Sequence, residues 1–194
     1  MSQTIVADAS PQAGTKKSPG VQLLTLLTFQ VGGQTYGLPV ANVVRIIEMV
    51  TITPLPGAPE PIEGIINLRG KAVSVIDLRR RFGLPRQAYG LHTPIILADM
   101  EGGDPRATPV GLVVDTVERV LDIPPEDLAI TDAIVPPELV KQMAAQAACG
   151  GVAGVANVER QMIPVLDVRA LLTSTEQIEL AQALGRKTPA LEIG

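Results

Sequence analysis

Aromatic residues are nearly missing from this chain of 194 residues, which has two Phe, two Tyr and no Trp. They are Phe29, Tyr36, Phe82 and Tyr89. A platform that stacks the bases of single-stranded nucleic acid needs aromatic faces, and this chain offers almost none. An excess of basic charge is missing too. The net charge is −4, with no block of like charges, whereas nucleic-acid binders present a basic face. The single cysteine, Cys149, excludes an internal disulfide and a multi-cysteine metal site, and it suits a reducing compartment. The single histidine, His92, has no second histidine or cysteine nearby in sequence to complete a metal site. No apolar run approaches the roughly 20 residues that cross a bilayer. Residues 1–20 carry no apolar core of signal-peptide type. The expectation is a cytoplasmic protein with no direct membrane insertion.

Hydrophobic residues make up 46% of the chain, enough for a real core in one domain or two small ones. Residues 1–20 are rich in Ser, Gln, Ala, Pro and Lys without periodicity, the pattern of a disordered tail. Leu27, Phe29 and Val31 then alternate with polar residues. Gly32-Gly33 follows, and Tyr36, Leu38 and Val40 alternate again. Two alternating runs around a glycine pair predict a β-hairpin. The proline-rich stretch 51–63 predicts an extended connection. A second hairpin is expected from Gly64–Leu68 and Lys71–Ile76, turning at Arg69-Gly70. Asp77 can cap a short helical turn that ends at Gly83. Thr93–Ala98 and Val110–Val114 make a further strand pair. Glu138–Ala148 predicts a short helix ended by Gly150-Gly151, and Thr173 with Glu176 has the capping-box spacing of a C-terminal helix.

A weak internal repeat organises these elements. Residues 64–82 set against 154–172, a shift of 90, share five of 19 positions: Gly64/Gly154, Asn67/Asn157, Val75/Val165, Asp77/Asp167 and Arg79/Arg169. Residues 37–46 set against 111–120, a shift of 74, also share five, including Gly37/Gly111, Val43/Val117 and Arg45/Arg119. The shifts differ by 90 − 74 = 16, room for one extra helix in the second half. Two similar halves of short strands with Gly/Pro turns predict paired small β-sheets or barrels that share an interface. The connections are too short and proline-rich for the helices of a parallel βαβ sheet.

These residues also carry a resemblance. Gly64-Ile65-Ile66-Asn67-Leu68-Arg69-Gly70 with Val75-Ile76-Asp77-Leu78-Arg79 resembles the signature hairpin of the CheW coupling-protein family, and Gly111–Asp115 with Val117 and Val120 resembles that family's second-half motif. The resemblance implies a mainly β fold of two five-stranded SH3-like barrels. It covers residues 21–172 in two halves, roughly 21–90 and 91–172, followed by a C-terminal helix and tail over 173–194. It also implies a non-catalytic adaptor, without a cofactor, that joins the cytoplasmic tip of a chemoreceptor to the regulatory domain of a CheA-type histidine kinase. Such an adaptor is recruited to membrane-associated receptor arrays. By position, Val40, Val43, Arg45, Ile46, Arg69, Val117 and Val120 fall on or near the receptor-facing groove. Gly154, Val155, Ala156 and Val158 fall in the half offered to the kinase.

The chain departs from the family at Arg45, where many members carry a glutamate paired with the arginine matching Arg69. Two arginines face this site here. Either Glu48 or Glu63 replaces the missing acid, or the arginines read an acidic partner surface. The departure suggests an alternative circuit, a non-motility array controlling attachment, pili or a second messenger.

Other readings compete at single residues. Asp77 and Asp167 could divide acid and base roles, but their equivalence in the repeat favours a shared cap. His92 reads as a turn histidine and Cys149 as apolar filler. Gly150–Gly154 lacks the strand-before, helix-after context of a phosphate loop. Val43, Ile46 and Val117, Val120, at i, i+3 spacing, fit either core packing or a groove for a partner helix. A catalytic reading would need Asp77, His92 and Asp167 brought together.

Overall fold

The computed structural model describes residues 23–100, 108–130 and 151–185. The predicted Glu138–Ala148 helix, the tail over 1–20 and Cys149 lie outside them. The chain is mainly β. Its strands are β1 (Leu24–Val31), β2 (Gln34–Pro39), β3 (Val43–Glu48), β4 (Ile62–Leu68), β5 (Lys71–Asp77), β6 (Pro94–Ala98), β7 (Val110–Val113), β8 (Thr116–Ile123), β9 (Leu128–Ile130), β10 (Val152–Val158) and β11 (Gln161–Leu166). Helix α1 (Leu78–Arg81) follows β5, and helix α2 (Ser174–Ala183) closes the described part of the chain.

The expected hairpins form for the expected reasons. Gly32 and Gly33 take φ of 62° and 81° between β1 and β2, the left-handed pair that matches the twist of a two-residue hairpin. Arg69 and Gly70 do the same between β4 and β5, with φ of 52° and 83°. Asp77 accepts hydrogen bonds from the backbone N–H of Arg79 and Arg80, capping α1. Asp167 accepts one from Arg169 N at the matching place in the second half. The proline-rich stretch contributes a single bridge, Thr53 to Ile65, and no central strand.

The strands form a six-stranded sheet in the order β8-β1-β2-β11-β10-β9 and a five-stranded sheet in the order β3-β6-β7-β5-β4. The family resemblance implies five strands in each; one sheet carries a sixth, with the short β9 at its edge. Neither sheet coincides with residues 21–90 or 91–172. Hairpin β1-β2 sits between β8 and β11 of the second half, and β6-β7 sits between β3 and β5 of the first. Each half thus lends its first hairpin to the other's sheet. The two parallel contacts, β2 with β11 and β5 with β7, join strands from different halves, so no crossover helix is needed.

The repeat is visible in the register. Gly37 lies opposite Val165 and Gly111 opposite Val75, so the positions matched by sequence meet across the exchange. β-Bulges recur as well. One falls between Ile62 and Gly64 and its counterpart between Val152 and Gly154. A second pair falls between Val43 and Arg45 on β3 and at the Val117–Val120 stretch of β8.

Three apolar clusters follow from this layout. Ile66, Val73, Val75, Ile95, Leu97 and Val113 fill the five-stranded unit. Leu26, Ile123, Ala156, Ile163 and Val165 fill the six-stranded one. The third cluster joins both units, and its members include Leu38, Ile76, Leu112 and Leu166. Three of the four aromatics lie there, with Tyr36 stacked between Phe29 (6.2 Å) and Phe82 (4.8 Å).

Candidate interaction surface

Strand β3 is the edge of the five-stranded sheet, and it is poorly covered. Val44 is 59% exposed, Ile46 41% and the preceding Val40 36%. On β8, the matching edge of the other sheet, Val120 is 56% exposed. Isolated surface apolar residues need no explanation, but several along one edge strand make a candidate docking surface. Val43 and Val117 are half-buried against the central cluster and support this face from beneath. The i, i+3 pairs therefore divide their labour, with one member in the core and one on the surface.

Arg45 projects from the same exposed part of β3, and Arg69 from the β4–β5 turn. Neither Glu48 nor Glu63 replaces the missing acid. Glu48 lies 3.0 Å from His92 at an exposed corner, and Glu63 is held 2.9 Å from Arg80. Arg45 and Arg69 make no ion pair or side-chain hydrogen bond with another described residue.

The residues assigned to the kinase side sit differently. Gly154, Val155 and Ala156 are buried, with Gly154 laddered to both β9 and β11 and Ala156 inside the six-stranded unit's core. Only the half-buried Val158 borders a surface, next to exposed Asn157, Glu159, Arg160 and Met162. β10 lies in mid-sheet and is covered on both faces over these three buried residues, which their order in the sequence does not reveal.

Asp77, His92 and Asp167 are not brought together. Asp77 caps α1 and accepts 2.7 Å from the Tyr89 hydroxyl; His92 is exposed beside Glu48; Asp167 caps its own turn. Burial and the Asp77 carboxylate, in that order, raise the Tyr89 phenol far above its usual range. No group of three or more His, Cys, Asp or Glu side chains is placed to hold a metal among the described residues. A cavity of about 430 Å³ beside α2 offers Ser74, Thr108, Arg169 and Gln177 among apolar side chains, and no acid–base pair among its described lining.

Sequence reasoning missed three polar contacts. Arg79 grips Asp115 through two bonds of 2.6 and 2.7 Å, and Asp115 also accepts from Gly32 N. These hydrogen bonds hold the Arg79 guanidinium protonated even above its usual range. Arg81, only 4% exposed, donates to both carboxylate oxygens of Glu176. Arg119 on β8 reaches Glu159 in the β10–β11 turn at 3.7 Å. Each pair spans tens of residues. Signals existed for some members: Arg79 repeats as Arg169, and Asp115 ends a motif. The pairing itself does not show in one sequence.

The Arg119–Glu159 contact brings the β8 edge to the hairpin near the opposite edge, so the six-stranded sheet curls toward closure. A pair of small curled β-sheets that share a core and expose apolar and cationic edge residues defines a β-scaffold built around interaction surfaces. Residues 25–176 match the CheW-like domain, and the chain belongs to that family. It is 28% identical over 166 residues to the chemotaxis protein CheW of Treponema pallidum, covering 80% of this chain and 86% of the relative. It is 31% identical to a probable chemotaxis protein CheW of Rhizobium etli, over 78% of this chain and 88% of that one. Among solved structures it resembles the scaffolding protein TtCheW of Thermoanaerobacter tengcongensis. That likeness has a TM-score of 0.63 and 29% identity, over 77% of this chain and 92% of that one.

Proposed function

We propose that this chain is a cytoplasmic adaptor that couples the tip of a chemoreceptor to a CheA-type histidine kinase, without catalysis of its own. Membership of the CheW-like family carries this reading, and the relatives named above are chemotaxis and scaffolding proteins. The exposed edge of β3 supports it, because Val40, Ile46 and Arg45 stand ready for a partner there without unfolding anything. Arg69 and Val120 extend that receptor-facing surface, and Val43 and Val117 underlie it. The kinase side is the six-stranded unit around Val158, where Gly154, Val155 and Ala156 act as frame. Residues 21–172 form the adaptor unit, and α2 is an appended element. Among the described residues no helix is long and apolar enough to cross a membrane. In this reading the chain is recruited to an array by its receptor.

Co-sedimentation tests the proposal. The purified chain is mixed with the receptor signalling fragment and the kinase encoded beside it. Both are expected in one complex at micromolar concentrations. If neither component co-sediments with the chain, the adaptor reading is lost.

A further inference from the structure

The two halves present the same two positions with different charges. Arg45 and Arg119 match in the repeat; Arg45 directly follows the bulge of β3, and Arg119 lies within that of β8. Arg69 and Glu159 match as well, and both take the left-handed φ, 52° and 50°. Each is the first residue of its hairpin turn. In the second half this arrangement ends in an ion pair, Arg119 with Glu159 at 3.7 Å. In the first half it ends in two arginines. The acids that could have compensated are engaged elsewhere, Glu48 with His92 and Glu63 with Arg80 and Arg86. By position, the first half therefore repeats the two places of an internal ion pair, with arginine where the second half has the acid.

We infer that a carboxylate from the partner completes this site, taking between Arg45 and Arg69 the place that Glu159 holds beside Arg119. The occupant is an acidic side chain on the chemoreceptor tip, flanked by apolar residues that meet Val40 and Ile46. Charge complementarity selects it: two guanidinium groups that make no ion pair with another described residue present positive charge alone, and each can bind a carboxylate through a two-pronged fork. Apolar neighbours on β3 lower the local dielectric once the partner is seated, so the pairing gains strength on docking. The second-half site, already neutralised by Glu159, does not compete for the same acid. This inference rests on the adaptor reading and adds to it the chemistry that selects the receptor.

Isothermal titration of the full chain with the receptor signalling fragment encoded beside it tests the site. Arg45→Glu and Arg69→Glu each rebuild an internal ion pair and should each weaken receptor binding by at least about 10-fold, since a like-charge juxtaposition then faces the partner acid. Binding of the kinase and the thermal midpoint should not move. Wild-type affinity should fall steeply with added salt, and the variants' affinity much less. Glu159→Ala should leave receptor affinity within about 2-fold. Because Arg69 is left-handed, Arg69→Asn and Arg45→Gln serve as neutral variants if charge reversal disturbs folding; a loss of about 3-fold or more from each is expected. An acid-to-lysine change in the receptor that restores binding to Arg69→Glu identifies the carboxylate. If the wild-type chain binds the receptor and these arginine variants bind equally well, the trans-acid site is wrong while the adaptor reading stands. If the wild-type chain binds neither receptor nor kinase, the adaptor reading itself fails.

Discussion

Gly64 sits at a bulge of β4, with φ of 154°, where the backbone of the Thr53 bridge presses against it. A methyl group there would run into the Thr53 carbonyl oxygen. Gly64→Ala should therefore cost about 2–4 kcal/mol, read as a fall in the urea midpoint with an unchanged slope. The opposite is expected in the β10–β11 turn. Arg160 holds φ of 69° where the first half has Gly70 at 83°. A left-handed non-glycine residue costs about 1–2 kcal/mol, and glycine returns part of that through its freer unfolded chain. Arg160→Gly should stabilise the protein by about 0.5–1 kcal/mol in the same measurement.

Tyr89 shows how a single hydroxyl couples stability to pH. Its folded-state pKa is raised, so the folded chain keeps a proton that the unfolded chain releases above pH of about 10. That contribution is fully present below the unfolded value and is lost as pH rises past it. Unfolding free energy measured between pH 8 and 11 should fall at the alkaline end, and Tyr89→Phe should flatten part of that slope. At neutral pH the same variant should cost about 1.5–3 kcal/mol, because Asp77 loses the 2.7 Å bond from a neutral donor to its charge. A Phe variant with the wild-type alkaline slope would assign the effect to another group.

At the scale of elements, α1 and α2 are fastened to each other. Glu176 is the third residue of the α2 capping box, accepting from Thr173 N at 2.7 Å, and it also receives the buried Arg81 of α1. One carboxylate thus ends a helix and neutralises a guanidinium that water hardly reaches. Glu176→Ala should cost about 2–4 kcal/mol, more than an exposed cap alone, because a buried charge loses its counter-ion. Thermal unfolding monitored by circular dichroism reads this directly; a loss under about 1 kcal/mol would mean that the pair is no more than a surface contact. Arg79 and Asp115 play a similar part between α1 and the start of β8, where the fork-like contact ties the two halves near the β1–β2 turn.

On the scale of the whole molecule, the exchange of hairpins makes the halves interdependent. Residues 23–92 alone would leave β2 without β11 and β5 without β7, and would open the central cluster of both units to water. Fragments 23–92 and 93–185, produced separately, should lack a cooperative unfolding transition and regain one when co-expressed. A cooperative transition in either fragment alone would show that its first hairpin can fold back onto its own half.

The hairpins, the Asp77 and Asp167 caps, the α2 capping box and the repeat could all be read from the order of residues. Each depends on interactions within a few positions, or on alternation that one strand displays by itself. Membership of the two sheets could not be read that way. The repeat matched Gly37 to Gly111 and Val75 to Val165, but only the folded chain shows that Gly37 meets Val165 and Gly111 meets Val75 across the exchange. Partners so distant in sequence are chosen by which apolar faces can be buried together, a property of the whole assembly. The same holds for the candidate surface. The chain's own order of residues determined that Arg45 and Arg69 both carry positive charge. Tertiary structure decided that Glu48 and Glu63 are engaged elsewhere, because a carboxylate takes the hydrogen-bond partner that packing sets beside it.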